Sequence, residues 1–430
     1  MDTGHGKEKE EEKEQLKRQP SHAPQPRTSA GDADVRPRKE TMRISIVILF
    51  CLSLSGTSFT GEKQVVSKEK GDTLVGVNYF AGWWKELPNK WHGQGWSTKD
   101  PDWRPSNPSR VPLLGEYNTQ ATMDKEIVAA AAHGIDFFMI LYYFPKPNTP
   151  ETTHAPRLNR GLETFIASKN AGKMKFCIEY CNHGNFSAGN DKEWNECVST
   201  WVAAMKHPSY LRVDGRLVFK VHGVTQFLKS NNDDWALCRK RLDTLRNATR
   251  TAGLGEMIIG CGISAETPPL GKKWPPAEIF DFTGTYMSVP KIEPQKKDYP
   301  FSRVAKQRKS SLKKRVSDPI PWLPYVAAGW NPRPWAHPKG APHHRTFFAF
   351  PTRKEFTAEL KATEDALSKN PSLGLPRRDG TRQKAFTIYA WNEFGEGGIV
   401  APIKGRGYMM LECIKDVFGA NGKSTKDASK

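Results

Sequence analysis

From Thr73 to Phe418, short apolar runs rich in Val, Ile, Phe and Tyr alternate eight times with longer stretches of helical period. No other feature narrows the fold so far, because a strand buried on both faces reads as a continuous apolar run and a helix packed against it repeats near 3.6. Strands are expected at Leu74 to Ala81, Asp136 to Tyr143, Lys175 to Asn182, Leu217 to His222, Met257 to Ile263, Phe282 to Met287, Leu323 to Ala328 and Ala385 to Trp391. Helices are expected near 119–132, 159–171, 192–205, 233–251, 277–280 (the weakest), 301–315, 354–368 and 407–418. His133-Gly134 ends an alanine-rich helix with a glycine suited to a left-handed cap and leads straight into a strand. Eight such units predict an α/β fold, a (β/α)8 TIM barrel forming a single domain over residues 73–420. A doubly wound open sheet competes, but it calls for a Gly-rich phosphate turn after its first strand, and here Tyr79-Phe80-Ala81-Gly82-Trp83-Trp84 puts aromatics in that place.

Functional residues of a barrel gather at the C-terminal ends of its strands. Polar and aromatic residues crowd those ends: Asn78, Tyr79, Trp83 and Trp84 after the first strand, Tyr142 and Tyr143 after the second, and Glu179, Tyr180, Asn182 and His183 after the third. Lys220 and His222 close the fourth, Tyr286 the sixth, and Trp330, Asn331 and Arg333 the seventh. Any one of them reads equally well as a packing residue. Repetition around six strand ends reads as a ligand site, since polar groups facing an apolar barrel mouth are costly without partners.

The last strand ends in Trp391-Asn392-Glu393-Phe394-Gly395-Glu396-Gly397. Glycoside hydrolysis usually uses two carboxyl groups, and Glu393 and Glu396 provide a pair on a glycine-rich turn that can bring both to one side. Like charges in a dry pocket push a carboxyl pKa upward, as a general acid requires. Glutamates beside glycines are also ordinary in surface loops, so the pair alone leaves both readings open.

The same stretch resembles the W-N-E-x-x-E-G motif of glycoside hydrolase family 99 and of the related WbsX-like glycosyltransferases. His207-Pro208-Ser209-Tyr210 through Asp214-Gly215-Arg216-Leu217-Val218 is similar to that family's region ahead of its fourth strand, and Gly329-Trp330-Asn331 with Arg333 to its stretch after the seventh. The resemblance implies a (β/α)8 barrel acting on α-linked mannose-type sugars with retention. It implies Glu393 as base toward the sugar 2-hydroxyl, which attacks the anomeric carbon, and Glu396 as acid and then base. Trp391 and Asn392 would shape the turn.

Outside the barrel, residues 1–41 carry nine basic and nine acidic side chains with almost no apolar ones, and they are expected to be disordered, as is the tail 421–430. Met42-Arg43, the apolar run Ile44 to Leu54 and the small residues Ser55 to Ser58 read as a secretory signal over 42–60. Met42 is the expected start, and the location secreted or periplasmic. The run is too short to span a bilayer as a helix. Export leaves six cysteines, Cys177, Cys181, Cys197, Cys238, Cys261 and Cys413, an even count that suits an oxidising compartment without fixing any pairing. No zinc spacing occurs, so neither metal nor cofactor is expected.

The net charge of +19 raises nucleic-acid binding as a question. Its densest part, Lys291 to Arg315, holds ten Lys or Arg against Glu293 and Asp298 and reads as a solvated basic face, with anionic polysaccharide as a lesser alternative. The expected partner is an oligo- or polysaccharide and not nucleic acid. A glycoside hydrolase is thus the leading reading; a glycosyltransferase of polysaccharide synthesis and a non-catalytic carbohydrate-binding barrel are the alternatives.

Overall fold

The structure is a computed structural model and describes residues 73–419, apart from 96–97, 147–154, 265–266, 268–270, 272–274, 294–296 and 337–345. The expectations for 1–41, 42–60 and 421–430 lie outside the described residues. All eight expected strands form: β1 (Leu74–Tyr79), β2 (Phe137–Tyr142), β3 (Lys175–Tyr180), β4 (Arg216–Val221), β5 (Met257–Gly262), β6 (Phe282–Gly284), β7 in two pieces (Trp322–Leu323 and Tyr325–Ala327) and β8 (Ala385–Tyr389). Parallel pairing follows chain order from β1 to β6. The first piece of β7 pairs β6, the second pairs β8, and β8 returns to β1 with Leu74 opposite Ala385. Pro324, between the two pieces, has no N–H for the ladder, but its carbonyl accepts from the Thr387 N–H at 2.9 Å, and the ring closes through it.

Around the barrel run α1 (Gln120–Ala132), α2 (Arg160–Ile166), α3 (Asp191–Met205), α4 (Trp235–Thr251), α5 (Ser302–Arg315), α6 (Arg353–Lys369) and α7 (Met409–Phe418). Their starts are written in the sequence: Thr119, Asn190 and Asp234 cap α1, α3 and α4 with their side chains, and Thr352 with Glu355 forms a capping box on α6. Gly134 takes the expected left-handed conformation after α1 (φ +84°). Two helices differ from expectation. The stretch 159–171 ends at Ile166 and is interrupted at Asn159, whose side chain bonds both the N–H and the C=O of Tyr143 at 2.8 Å. The weakest helix is a 3₁₀ turn, Pro275–Glu278.

Strand alternation divides the side chains. Tyr142 and Tyr180 point outward and pack edge-on or tilted against Trp201 of α3, at ring distances of 5.6 and 5.0 Å. Burying each such ring stabilises the fold by roughly 2–3 kcal/mol. Six cysteines lie buried in this packing, each as a free thiol, so the even count does not mark a disulfide set. Among the described residues no helix is long and apolar enough to cross a membrane, and no group of three or more His, Cys, Asp or Glu has the arrangement to hold a metal ion.

Candidate active site

Glu393 and Glu396 come together because the chain folds back tightly after β8. Asn392–Glu393 pairs antiparallel with Gly398–Ile399, and the Glu393 carbonyl accepts from the N–H groups of Glu396 at 3.1 Å and Gly397 at 2.7 Å. Gly397 has φ +89°, and a Cβ there would lie 2.8 Å from the Asn331 nitrogen, so the turn needs glycine at this position. Beneath the turn, Phe394 is wedged among Trp91 (5.5 Å), Trp83 (5.3 Å) and Tyr117 (4.9 Å). The buried Arg110 guanidinium donates to the carbonyls of Phe394 (3.0 Å) and Asn331 (2.7 Å). Burial, reinforced by Arg406 and Arg333, lowers its pKa to about 9.

Both carboxyls line a cavity of about 600 Å³ at the C-terminal mouth of the barrel. Its lining includes Phe80, Tyr143, His183 and Phe186, His222, Tyr286 and Trp330, and Lys90, Trp335 and Tyr389. The Tyr286 hydroxyl donates to Glu393 at 2.8 Å, and Tyr389 donates a short bond to Glu396. Burial, and then the charge of Glu396, raises Glu393 well above the usual carboxyl range; burial likewise raises Glu396, against its Tyr389 bond and Lys90. Two carboxyls so placed titrate as a pair and retain a proton where a solvated pair would have lost both. Burial, with His222 and Lys90 adding to it, lowers the His183 imidazole to about 4.

Below the cavity, inside the barrel, Glu179 accepts from Lys220 Nζ at 2.6 Å and from Asn78 Nδ2 at 3.0 Å, and its Oε1 lies 2.8 Å from His222 Nδ1. Burial alone would raise Glu179; Lys220 and His222 outweigh it and hold the carboxyl at about 2. Facing an ionised carboxylate, Nδ1 of His222 carries the hydrogen, which fixes the ring against the cavity wall.

Seven of the expected site residues meet in the cavity: Tyr143, His183, His222, Tyr286, Trp330, Glu393 and Glu396. Glu179 and Lys220 serve it from beneath. The rest do not line the cavity. Tyr79, Tyr142 and Tyr180 sit on the outward phase of their strands, and Trp391 also turns out, its indole N–H donating to Glu126 of α1 at 2.6 Å. Trp83 is sealed in the aromatic cluster, stacked 5.8 Å from Trp335, and Trp84 donates to the Pro88 carbonyl at 2.9 Å. Asn182, Asn331 and Asn392 bond backbone groups of the mouth loops, at Gly223, Phe348 and Phe80 respectively, while Arg333 pairs with Asp298. These bonds brace the loops of the mouth. The sequence pattern does not reach Lys90, Trp335 and Tyr389, which also line the cavity: the first two lie on short 3₁₀ turns without longer periodicity, and Tyr389 is hidden in the apolar run of β8.

Nor does it reach Glu126, which is buried on α1 and accepts from Tyr79 Oη (2.8 Å) as well as Trp391. Burial raises its pKa from 4.5 to about 7, against the opposing bonds from Trp391 and Tyr79. The unfolded chain therefore loses this proton before the folded one does. Stability falls as pH rises from about 4.5 to about 7, by roughly 3 kcal/mol in total. Glu126→Gln keeps one acceptor for Trp391 and one donor for Tyr79, so thermal unfolding of the variant should lose less stability than the wild type between pH 5 and pH 8.

No family model and no curated protein matches the sequence. Solved structures do match. A glycoside hydrolase-like protein superposes with a TM-score of 0.54 at 15% identity, covering 84% of this chain and 98% of that one. The shared fold is a (β/α)8 barrel. The similar structures include a family 99 endo-α-mannosidase from Bacteroides thetaiotaomicron, at 14% identity and TM-score 0.49, covering 80% of this chain and 98% of that one.

Proposed function

We propose that this chain is a retaining glycoside hydrolase acting on α-linked mannose-type sugars. The observation that carries the proposal is the buried pair Glu393 and Glu396, each held by a tyrosine hydroxyl, facing an aromatic-walled cavity at the mouth of a (β/α)8 barrel. Burial favours a proton on the pair where solvated carboxyls would have lost both, and this suits bond cleavage, which needs an acid for the leaving oxygen and a base. Following the motif resemblance, Glu396 protonates the glycosidic oxygen and later activates water. Glu393, oriented by Tyr286, accepts the proton of the sugar 2-hydroxyl as that oxygen attacks the anomeric carbon. Trp330 and Trp335 offer rings for stacking, and His222, fixed by Glu179, presents its remaining nitrogen to a sugar hydroxyl. The signal-like segment at Met42 supports export, which would bring such an enzyme to extracellular polysaccharide.

A 2-deoxy analogue separates this scheme from direct attack by a carboxylate. If the 2-hydroxyl is the nucleophile, an α-mannoside lacking it stays uncleaved, while the parent compound yields product of retained anomeric configuration by NMR. Cleavage of the deoxy analogue at a comparable rate would overturn the assigned role of Glu393.

A further inference from the structure

We infer that the exposed basic face of α5 binds an anionic glycan chain as it leaves the catalytic pocket past Trp330. The identity of the chain as a glycan rests on the glycosidase reading above; the surface itself does not. α5 carries seven basic residues and no acidic one. Two of the seven are buried and paired, Arg308 with Glu359 and Arg315 with Asp318. The other five, Arg303, Lys306, Lys309, Lys313 and Lys314, are exposed and have no ion-pair partner among the described residues.

α4 shows that this is not how the fold treats basic helices in general. All five of its basic residues face carboxylates: Arg239 with Glu278, Lys240 and Arg241 with Asp191, Arg246 with Asp243 and Asp281, Arg250 with Glu256. On α5 the spacing from Arg303 to Lys306, Lys309 and Lys313 keeps the charges on one side of the helix, where like neighbours three and four apart repel. A face that is destabilising in itself and uncompensated among the described residues draws a polyanion.

The surface adjoins the active site. A second depression of about 720 Å³ shares Val289 and Trp330 with the catalytic cavity and has Lys291, Tyr299 and Arg303 on its wall, with Glu293 the one acidic residue there. Arg303 lies 5.3 Å over the Tyr299 ring and begins the stripe, which extends about 16 Å to Lys314. The ligand class is a glycan bearing sulfate, phosphate or carboxylate groups. Such a chain would have its reacting bond at Glu396 and its charged continuation on α5.

The test is the binding of the full chain to a neutral α-mannan and to the same mannan sulfated, phosphorylated or oxidised to uronate, at low and high salt. The charged forms should bind at least about tenfold tighter at low salt and lose that advantage at high salt. The arm that binds best identifies the anionic group. Arg303→Gln/Lys306→Gln/Lys309→Gln/Lys313→Gln should remove the advantage while hydrolysis of a small neutral α-mannoside is unchanged. The control Lys229→Gln/Lys354→Gln/Lys361→Gln/Lys369→Gln, with the same change in net charge at other exposed positions, should keep it. Equal binding of neutral and charged mannans, equal loss in the control, or retention of single-stranded DNA with no preference among mannans would each overturn the inference. Binding with the predicted pattern but no cleavage of any glycoside would leave the surface standing and sink the hydrolase reading instead.

Discussion

On the proposed mechanism, Glu396→Gln is expected to lower turnover of a natural-type α-mannoside on the order of 10³-fold while leaving its binding nearly intact. The amide keeps the volume of the side chain and an acceptor for the Tyr389 hydroxyl but has no proton for the leaving oxygen. The loss should depend on the leaving group. A dinitrophenyl glycoside departs without protonation, so its bond-breaking step should be spared in Glu396→Gln, with the deficit moved to the later step in which Glu396 activates water. Glu393→Gln should impair both substrates alike, because the proton of the 2-hydroxyl must be removed whatever the leaving group. The measurement is steady-state and pre-steady-state kinetics on the pair of substrates. Equal losses on both substrates for Glu396→Gln would remove it from the acid role.

Glu179→Ala destabilises the fold by about 3–5 kcal/mol. Lys220 is 2% exposed, and its ammonium would remain inside the barrel with no carboxylate opposite it. His222 would lose the partner that fixes its ring, so the mouth loosens as well. The effect has a pH signature. Because the folded pKa of Glu179 is depressed to about 2, its stabilisation is present above the ordinary value of 4.5 and is lost as pH falls from there toward 2. Glu179→Ala should therefore narrow its deficit against the wild type as the solution is acidified through that window. The double variant Glu179→Ala/Lys220→Met removes both charges together and should cost less than the sum of the two single changes. Urea unfolding at neutral and acid pH measures all three, and additive losses would show that the two residues act separately.

Much of the barrel is legible because βα repetition is written in hydropathy: every expected strand appears, and the caps at Thr119, Asn190, Asp234 and Thr352 mark helix starts that local chemistry decides. The site is legible at the level of strand ends, not of side chains. Strand alternation explains most of the difference. Glu179 and Cys181 face inward and Tyr180 outward; Leu141 and Tyr143 face the cavity and Tyr142 does not. A period of two counted from Glu179 or Tyr143 assigns Tyr142 and Tyr180 to the helix side from their spacing alone. The same count fails at Trp391, because alternation does not continue past Tyr389: Tyr389 lines the cavity, yet Trp391 two residues later faces Glu126. Lys90 and Trp335 come from loops whose approach to the mouth depends on the aromatic cluster around Trp83, a packing of distant segments with no local pattern to announce it.

We propose that Glu393 and Glu396 together cleave a glycosidic bond of a manno-configured sugar. The most direct test of this proposal is incubation of residues 61–430 with a panel of α-mannosides, mannans and other α- and β-linked glycans, followed by product analysis. Release of a manno-configured reducing sugar is expected from the α-linked members and none from the β-linked ones. A folded protein that stays silent across the panel, or that releases sugar only from β-linked glycans, would contradict it.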